Sequence, residues 1–338
     1  MSPQTIALSS VTRITDFAEN PPDFAPQPRD TWARGDYVLA EMLPGQIETY
    51  PVEGAAGRAI DIRPGDRLVG VLGDRAATLE VVGGWRHIGD DLRMQTLTVA
   101  GVLGVATSAS TLSRPLAPLR YVGHAVRDGR ALTMKDFVVP VPVRSVSAPV
   151  ILIIGTSMNS GKTVSAVAMI RQLTALSRRV VGAKVTGVGR YRETVAMRDA
   201  GAAAIFDLVD VGLPSTLVPA QEYERDLRLL CARIAAAEPD VVVIEAGASP
   251  LEPYCGDVAL RMLHPKVALT VLSASDPYAV WGLMHAFNLR PDVVSGPCTS
   301  TEAGIALIDR MTGVPAINMF DPATGPALSR FLQEHLPA

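Results

Sequence analysis

The stretch Gly155-Thr156-Ser157-Met158-Asn159-Ser160-Gly161-Lys162-Thr163 holds the residue types that bind phosphate. Glycines let backbone N–H groups close on phosphate oxygens, and a helix N-terminus adds partial positive charge. The lysine neutralises the outer phosphates, and the threonine hydroxyl ligates magnesium. The apolar run from Val150 to Ile154 precedes the stretch and reads as a buried strand. A helical pattern through about Leu176 follows it. Strand, loop and helix are the setting that a phosphate loop requires. The usual order is Gly, four residues, then Gly-Lys-Ser/Thr. Here the place of the first glycine is taken by Thr156, and Gly155 comes one position earlier.

Three further positions offer chemistry. Asp240-Val-Val-Val-Ile-Glu245 is an apolar strand that ends in a carboxylate, followed by Ala246-Gly247-Ala248-Ser249. An acid there takes magnesium directly or through water. Arg179-Val-Val-Gly-Ala-Lys184 is a second strand, ending in a lysine able to hold an anionic substrate group. Asp207 and Asp210 follow the next helix, and either could complete a metal shell.

These residues need a sheet to position them. From Val150 onward strands and helices alternate with short connections, which defines an α/β, doubly wound, mainly parallel sheet. Ligands of such sheets bind beyond the C-terminal ends of the strands. The expected elements include a helix from Arg192 to about Phe206 and a short strand at Ser215–Val218. A helix over Tyr223–Ala237, a strand over Lys266–Leu272 and a helix over Pro277–Phe287 come next. A strand at Asp292–Ser295, a helix at Thr301–Met311, a strand at Val314–Met319 and a last helix at Pro326–Leu336 complete the pattern.

Before this lies a smaller β-rich (α+β) domain, residues 31–137, with short apolar runs between Gly-Asp turns. Ala77 to Val82 reads as one of its strands. Leu97 to Ser110 fits either a strand pair or a buried helix, and Trp85-Arg86-His87 reads as local packing with a solvated tip. Residues 1–30 form an irregular lead-in with room for one early strand. Residues 138–148, rich in proline, are an extended linker, and the α/β domain spans 149–338.

At 338 residues the chain is long enough for two domains. A net charge of −3 and few aromatics argue against nucleic acid and against an anionic membrane surface. No apolar run approaches a membrane span, and no secretory signal is visible. Cys231, Cys255 and Cys298 are scattered without metal spacing and fit small buried thiols in a reducing cytoplasm. No Asn/Thr-Lys-x-Asp run supports guanine specificity.

Over about residues 149 to 320 the constellation resembles the dethiobiotin synthetase-like branch of P-loop NTPases. That branch's loop reads Gly-Thr-Asp-Thr-x-x-Gly-Lys-Thr, with the same early glycine. Lys184 falls where the family has a substrate-contacting lysine. Val241-Val-Val-Ile-Glu-Ala-Gly-Ala248 is similar to the family's Val-Glu-Gly-Ala-Gly, whose glutamate binds magnesium. Ser157 replaces the family's loop aspartate, Ala246 replaces a glycine, and the β-rich domain has no counterpart in dethiobiotin synthetase. Uncharacterised two-domain P-loop proteins of the DUF1611 type are an equally good relative, and some of those are linked to acyl transfer onto amino acids.

The resemblance implies an ATP- and Mg2+-dependent phosphotransferase or ligase acting on a small carboxylate or carbamate. Lys162, Lys184 and Glu245 would do the chemistry. Thr163 and Glu245, with Asp207 or Asp210, would hold the metal. A homodimer is expected. Two alternatives stay open: a nucleotide-dependent regulatory or maturation switch, and an acyltransferase using the loop for the phosphates of coenzyme A.

Overall fold

The computed structural model describes residues 6–336. The chain forms two compact units. One holds the chain up to Pro140 together with Val188–Arg192 and Leu208–Leu217. The other holds Val141–Gly187, Glu193–Asp207 and Val218 onward. The division falls within the proline-rich segment, which forms neither helix nor strand between Val138 and Pro149.

The first unit is a closed barrel. Strands Arg67–Leu72, Tyr37–Met42, Pro118–Arg127, Arg93–Thr96 and Val102–Ala109 pair in that order, and the last pairs back in parallel with the first. Closure removes the open edges of a small sheet. Val38, Ala40, Met42, Leu68, Leu72, Met94, Leu103 and Leu119 fill its core. Ile6–Leu8 adds a parallel strand beside Arg67–Leu72, and Asp23–Ala25 pairs with Pro118–Arg127. The lead-in therefore contributes two strands to this sheet. The run Ala77 to Val82 is a hairpin instead, with strands Asp74–Ala76 and Val81–Gly84 on either side of a turn. Trp85 is buried, and the exposed Arg86 guanidinium lies over its ring.

In this unit the hairpin strand Tyr50–Glu53 ends in a buried carboxylate. Glu53 accepts the backbone N–H groups of Tyr191 at 2.6 Å and Arg192 at 3.1 Å. A carboxylate on the first N–H groups of a helix satisfies orphan donors and complements the helix dipole. Glu53→Ala is expected to cost about 2 kcal/mol. The check is a lower denaturation midpoint with an unchanged slope.

The second unit is the α/β sheet. Its strands are β1 (Val150–Gly155), β2 (Val180–Thr186), β3 (Ala204–Asp207), β4 (Val241–Ala246), β5 (Val267–Ser273) and β6 (Val293–Ser295). They pair in parallel in the order β3-β2-β4-β1-β5-β6. The helices are α1 (Lys162–Ala175), α2 (Tyr191–Asp199), α3 (Ala220–Ala236), α4 (Gly256–Leu263), α5 (Pro277–Phe287), α6 (Glu302–Thr312) and α7 (Gly325–His335). Every residue of β1 and β4 is buried, as expected of a parallel sheet covered on both faces. Ile151 and Ile153 pack with Ala166, Met169, Ile170 and Leu173 of α1 and with Leu328 and Leu332 of α7.

The structure corrects the sequence reading at four further places. The helix expected from Arg192 to Phe206 stops at Asp199. Gly201 takes φ 111°, Ala202 N–H bonds back to Met197, and β3 begins three residues after that glycine. This is a Schellman-type stop, hidden in sequence by a run of helix-favouring alanines. Ser215–Val218 makes one isolated bridge, from Ser215 to Val188, and no strand. Val314–Met319 also makes only one bridge, Ala316 to Val294, because Pro315 has no N–H with which to continue a ladder. The segment Gly256–Leu263, left unassigned in sequence, is α4.

No cysteine is disulfide-bonded. Burial pushes the thiols of Cys231 and Cys298 up to about 11 and raises that of Cys255. A raised thiol pKa leaves less thiolate, the reactive form, at any pH below it. Cys231 and Cys298 should therefore react with iodoacetamide at pH 8 roughly a hundredfold more slowly than free cysteine. The rate should rise about tenfold per pH unit until near the pKa. Labelling at free-thiol speed would show that burial does not protect them. No helix among the described residues is long and apolar enough to cross a membrane.

Candidate functional site

β1 and β4 are neighbours, and their C-terminal ends deliver the loop and the carboxylate side by side. β1 ends at Gly155. Thr156 N–H then bonds to Ser273 O at the end of β5, at 3.1 Å. The chain turns through Asn159 (φ 61°) and Gly161 (φ 94°) into α1. A side chain at Gly161 would be strained by that φ, and its Cβ would lie 2.6 Å from the Phe320 ring. The first turn of α1 has no side-chain cap and no acidic residue of its own, and its dipole favours an anion there. Ser160 Oγ is buried and has no hydrogen-bond partner among the described residues. It is a further donor for a ligand oxygen.

Lys162 folds back over the loop and donates to Ser157 O at 2.8 Å. It is 5% exposed. Burial lowers its pKa, against the nearby charges of Glu245 and Glu193. An ammonium stripped of water in this way is poised to take a strongly negative ligand. Thr163 Oγ1 donates to Glu245 Oε2 at 2.9 Å. Burial and the neighbouring Glu193 raise the Glu245 carboxyl, while Lys184, Lys162 and the Thr163 hydroxyl oppose that shift.

Lys184 lies near the end of β2, where it pairs in register with Asp207 on one side and Glu245 on the other. Its amine contacts Glu193 Oε2 at 2.5 Å. Burial works against its charge, but Glu193, Glu245 and Asp207 more than offset this and hold its pKa above the ordinary lysine value. Gly247 is what lets the lysine lie here. A Cβ at that position would come within 2.4 Å of Lys184 Cε and 2.3 Å of Thr186 O.

The structure thus gathers the loop from Gly155 to Thr163, Lys184, Glu245 and the fully buried Asp207 in the second unit. It separates the two aspartates offered as further metal ligands. Asp210 belongs to the first unit, where it forms an ion pair with Arg13 at 2.9 Å. Two residues escaped the sequence reading. Glu193 carried a signal, as an acid in the first turn of a helix just after Lys184. Phe320, whose ring stands against Gly161, carried none, because that contact joins distant parts of the chain.

The hydroxyl and carboxylate of Thr163 and Glu245 are adjacent hard oxygen donors at a helix N-terminus, and they fit Mg2+. Among the described residues no group of three or more His, Cys, Asp or Glu converges as a metal cage. Magnesium at a phosphate loop needs none, because phosphate oxygens and water complete its shell.

Fold and loop together define an α/β protein of the P-loop class, preceded by a β-barrel unit. No protein-family model matches the chain, and no curated protein matches it in sequence. Among solved structures it is similar to chloroplast FtsY from Physcomitrella patens. The identity is 13% over 57% of this chain and 67% of that one, with a TM-score of 0.37. It is also similar to a DUF1611 family protein from Anabaena variabilis, at 14% identity over 57% of this chain, with a TM-score of 0.38. The chain spans 61% of the length of that protein. HypB from Helicobacter pylori, solved in complex with nickel, is similar at 15% identity over 56% of this chain and 90% of that one, with a TM-score of 0.36.

Proposed function

We propose that the protein is a Mg·ATP-dependent enzyme that transfers the terminal phosphoryl group to a small carboxylate or carbamate, in the manner of dethiobiotin synthetase. The observation that carries this reading is one cluster in the second unit. A buried loop lysine, a Thr163–Glu245 oxygen pair and a second buried lysine, Lys184, share one set of charges.

In this reading the N–H groups at the start of α1 and the Lys162 ammonium bind the β- and γ-phosphates. Thr163 and Glu245 would hold Mg2+, which supplies charge neutralisation at the phosphates when bound. Lys184 orients the acceptor oxyanion. An acceptor oxygen attacks the γ-phosphorus, and the bond from that phosphorus to the β,γ-bridging oxygen breaks. ADP leaves with the electron pair. A carboxylate acceptor has no proton to lose, so no general base is needed.

The test is release of ADP from Mg·ATP across a panel of small carboxylates, with and without bicarbonate and an amine. Acceptor-dependent ADP release supports the reading. Tight binding of acetyl-coenzyme A with no binding of ATP or GTP would overturn it in favour of acyl transfer.

A further inference from the structure

A large apolar ring, Phe320, stands against Gly161 of the phosphate loop and is still 43% exposed. The ring atoms nearest a Cβ at Gly161 would be Cζ and Cε2, so the ring meets the loop by its edge. We propose that Phe320 is the platform on which the base of the bound nucleotide stacks. This rests on the nucleotide-binding part of the reading above and deepens it. The loop and Lys162 take the phosphates, and the ring takes the other end of the same ligand.

The two sides of the loop differ in chemistry. β1 lies between β4 and β5 in the sheet. On one side β4 and β2 carry Glu245 and Lys184 near their ends, and Thr163 donates to Glu245. On the other side the chain beyond β5 and β6 is Ala274-Ser275 and Gly296-Pro297-Cys298-Thr299. The acids that follow β5 and the ring itself are engaged in capping. Asp276 Oδ1 accepts from Tyr278 and Ala279 N–H at 3.0 Å each, and Asp321 Oδ1 accepts from Ala323 N–H at 2.9 Å. A nucleotide has a charged end and a flat, weakly polar end. Its terminal phosphates belong with Lys162, Thr163 and Glu245. Its base then leaves the loop toward β5 and β6, where Phe320 is the aromatic ring that touches the loop.

The ring is held in place by its own turn. Phe320 N–H donates to Asn318 Oδ1 at 3.1 Å and Asp321 N–H to Asn318 O at 3.2 Å. Thr324 Oγ1 donates to Asn318 O at 2.8 Å, and the turn runs into α7, whose Leu328 and Leu332 join the core with β1 and α1. Gly296 draws the neighbouring strand ends to the same place. It takes φ 105°, and a Cβ there would lie 2.6 Å from both Ala274 O and Ser160 O. A surface fixed in advance loses little freedom when a planar ligand covers it. Covering an exposed ring face with a base also removes apolar area from water.

The test compares ATP with inorganic tripolyphosphate, each with Mg2+, by calorimetry on wild type, Phe320→Ala and Phe320→Leu. Tripolyphosphate carries the charged end of ATP and lacks the base. Phe320→Ala is expected to bind Mg·ATP at least about tenfold more weakly than wild type, within the range seen when a stacking aromatic is removed from a base. Its affinity for Mg·tripolyphosphate should equal that of wild type. Phe320→Leu keeps an apolar side chain against Gly161 and removes the aromatic face, so it should show the same selective loss. It also stands in for the alanine variant should that one fail to fold. Unchanged ATP affinity in the variants overturns the proposal. A parallel loss of both ligands overturns it too, because the ring would then only support the loop. The two readings fail differently. Wild type that binds neither ligand ends the nucleotide reading and the platform with it, whereas ATP binding untouched by loss of the ring ends the platform alone.

Discussion

Replacing Lys162 by alanine is expected to weaken Mg·ATP binding by at least about a hundredfold, or roughly 3 kcal/mol. The size of the effect follows from the position of the amine. Lys162 is buried and its pKa is lowered mainly by lost solvation, so the free protein holds a cation that water does not satisfy. Its one described hydrogen bond is to a neutral carbonyl, Ser157 O. A triphosphate would replace that contact with charge-assisted bonds, which are about twice as strong. Lys162→Met is the companion variant, because it keeps the stem and removes only the charge. Both variants should fold, since they relieve a desolvated cation. Calorimetry with Mg·ATP decides the matter. Affinity within a few-fold of wild type in both would mean that the loop does not bind a triphosphate.

Glu245→Gln is expected to reduce Mg2+-dependent ADP release by about a hundredfold to a thousandfold. Nucleotide binding without Mg2+ should change far less. The carboxylate accepts from Thr163 Oγ1 at 2.9 Å and stands beside both lysines. Glutamine can keep the hydrogen bond to Thr163. It cannot give a hard anionic oxygen to a divalent cation. The split between metal-dependent and metal-independent readouts is therefore the informative one. Equal loss of both would make Glu245 a residue of the fold and not of metal binding. Thr163→Val should show the same split with a smaller loss.

Much of the second unit was legible from residue order. Val150–Gly155 and Val241–Ala246 read as strands because short apolar runs, to Ile154 and Ile244, suit burial on both faces of a parallel sheet. The loop between β1 and α1 is written in glycines, small polar residues and a lysine that have few other uses together. Alternation of strand and helix then requires a parallel sheet, and a parallel sheet places its strand ends on one edge. That is why Lys162, Lys184 and Glu245, far apart in the chain, meet in one charge cluster.

Less was legible in the first unit. Its barrel depends on which short strands pair. Ile6–Leu8 pairs with Arg67–Leu72, and Val102–Ala109 closes the ring on that same strand. Such pairings are long-range, and a strand three residues long carries too little pattern to announce its partner. The helix expected to run to Phe206 failed for a related reason. Alanine favours helix locally, but the Ala204–Asp207 edge gains a ladder with β2.

The sequence by itself determined the chemistry on offer: a phosphate-type loop, a strand-end acid and a strand-end lysine. Local composition and period are enough for these, because each is written within a few adjacent residues. Only the tertiary structure decided who neutralises whom. It put Glu193 on Lys184, bonded Thr163 to Glu245, gave Asp210 to Arg13 in the other unit and stood Phe320 against Gly161. Ion pairs and ring contacts form through space. Their energies depend on burial and on distances of a few ångströms, which the order of residues along a chain does not contain.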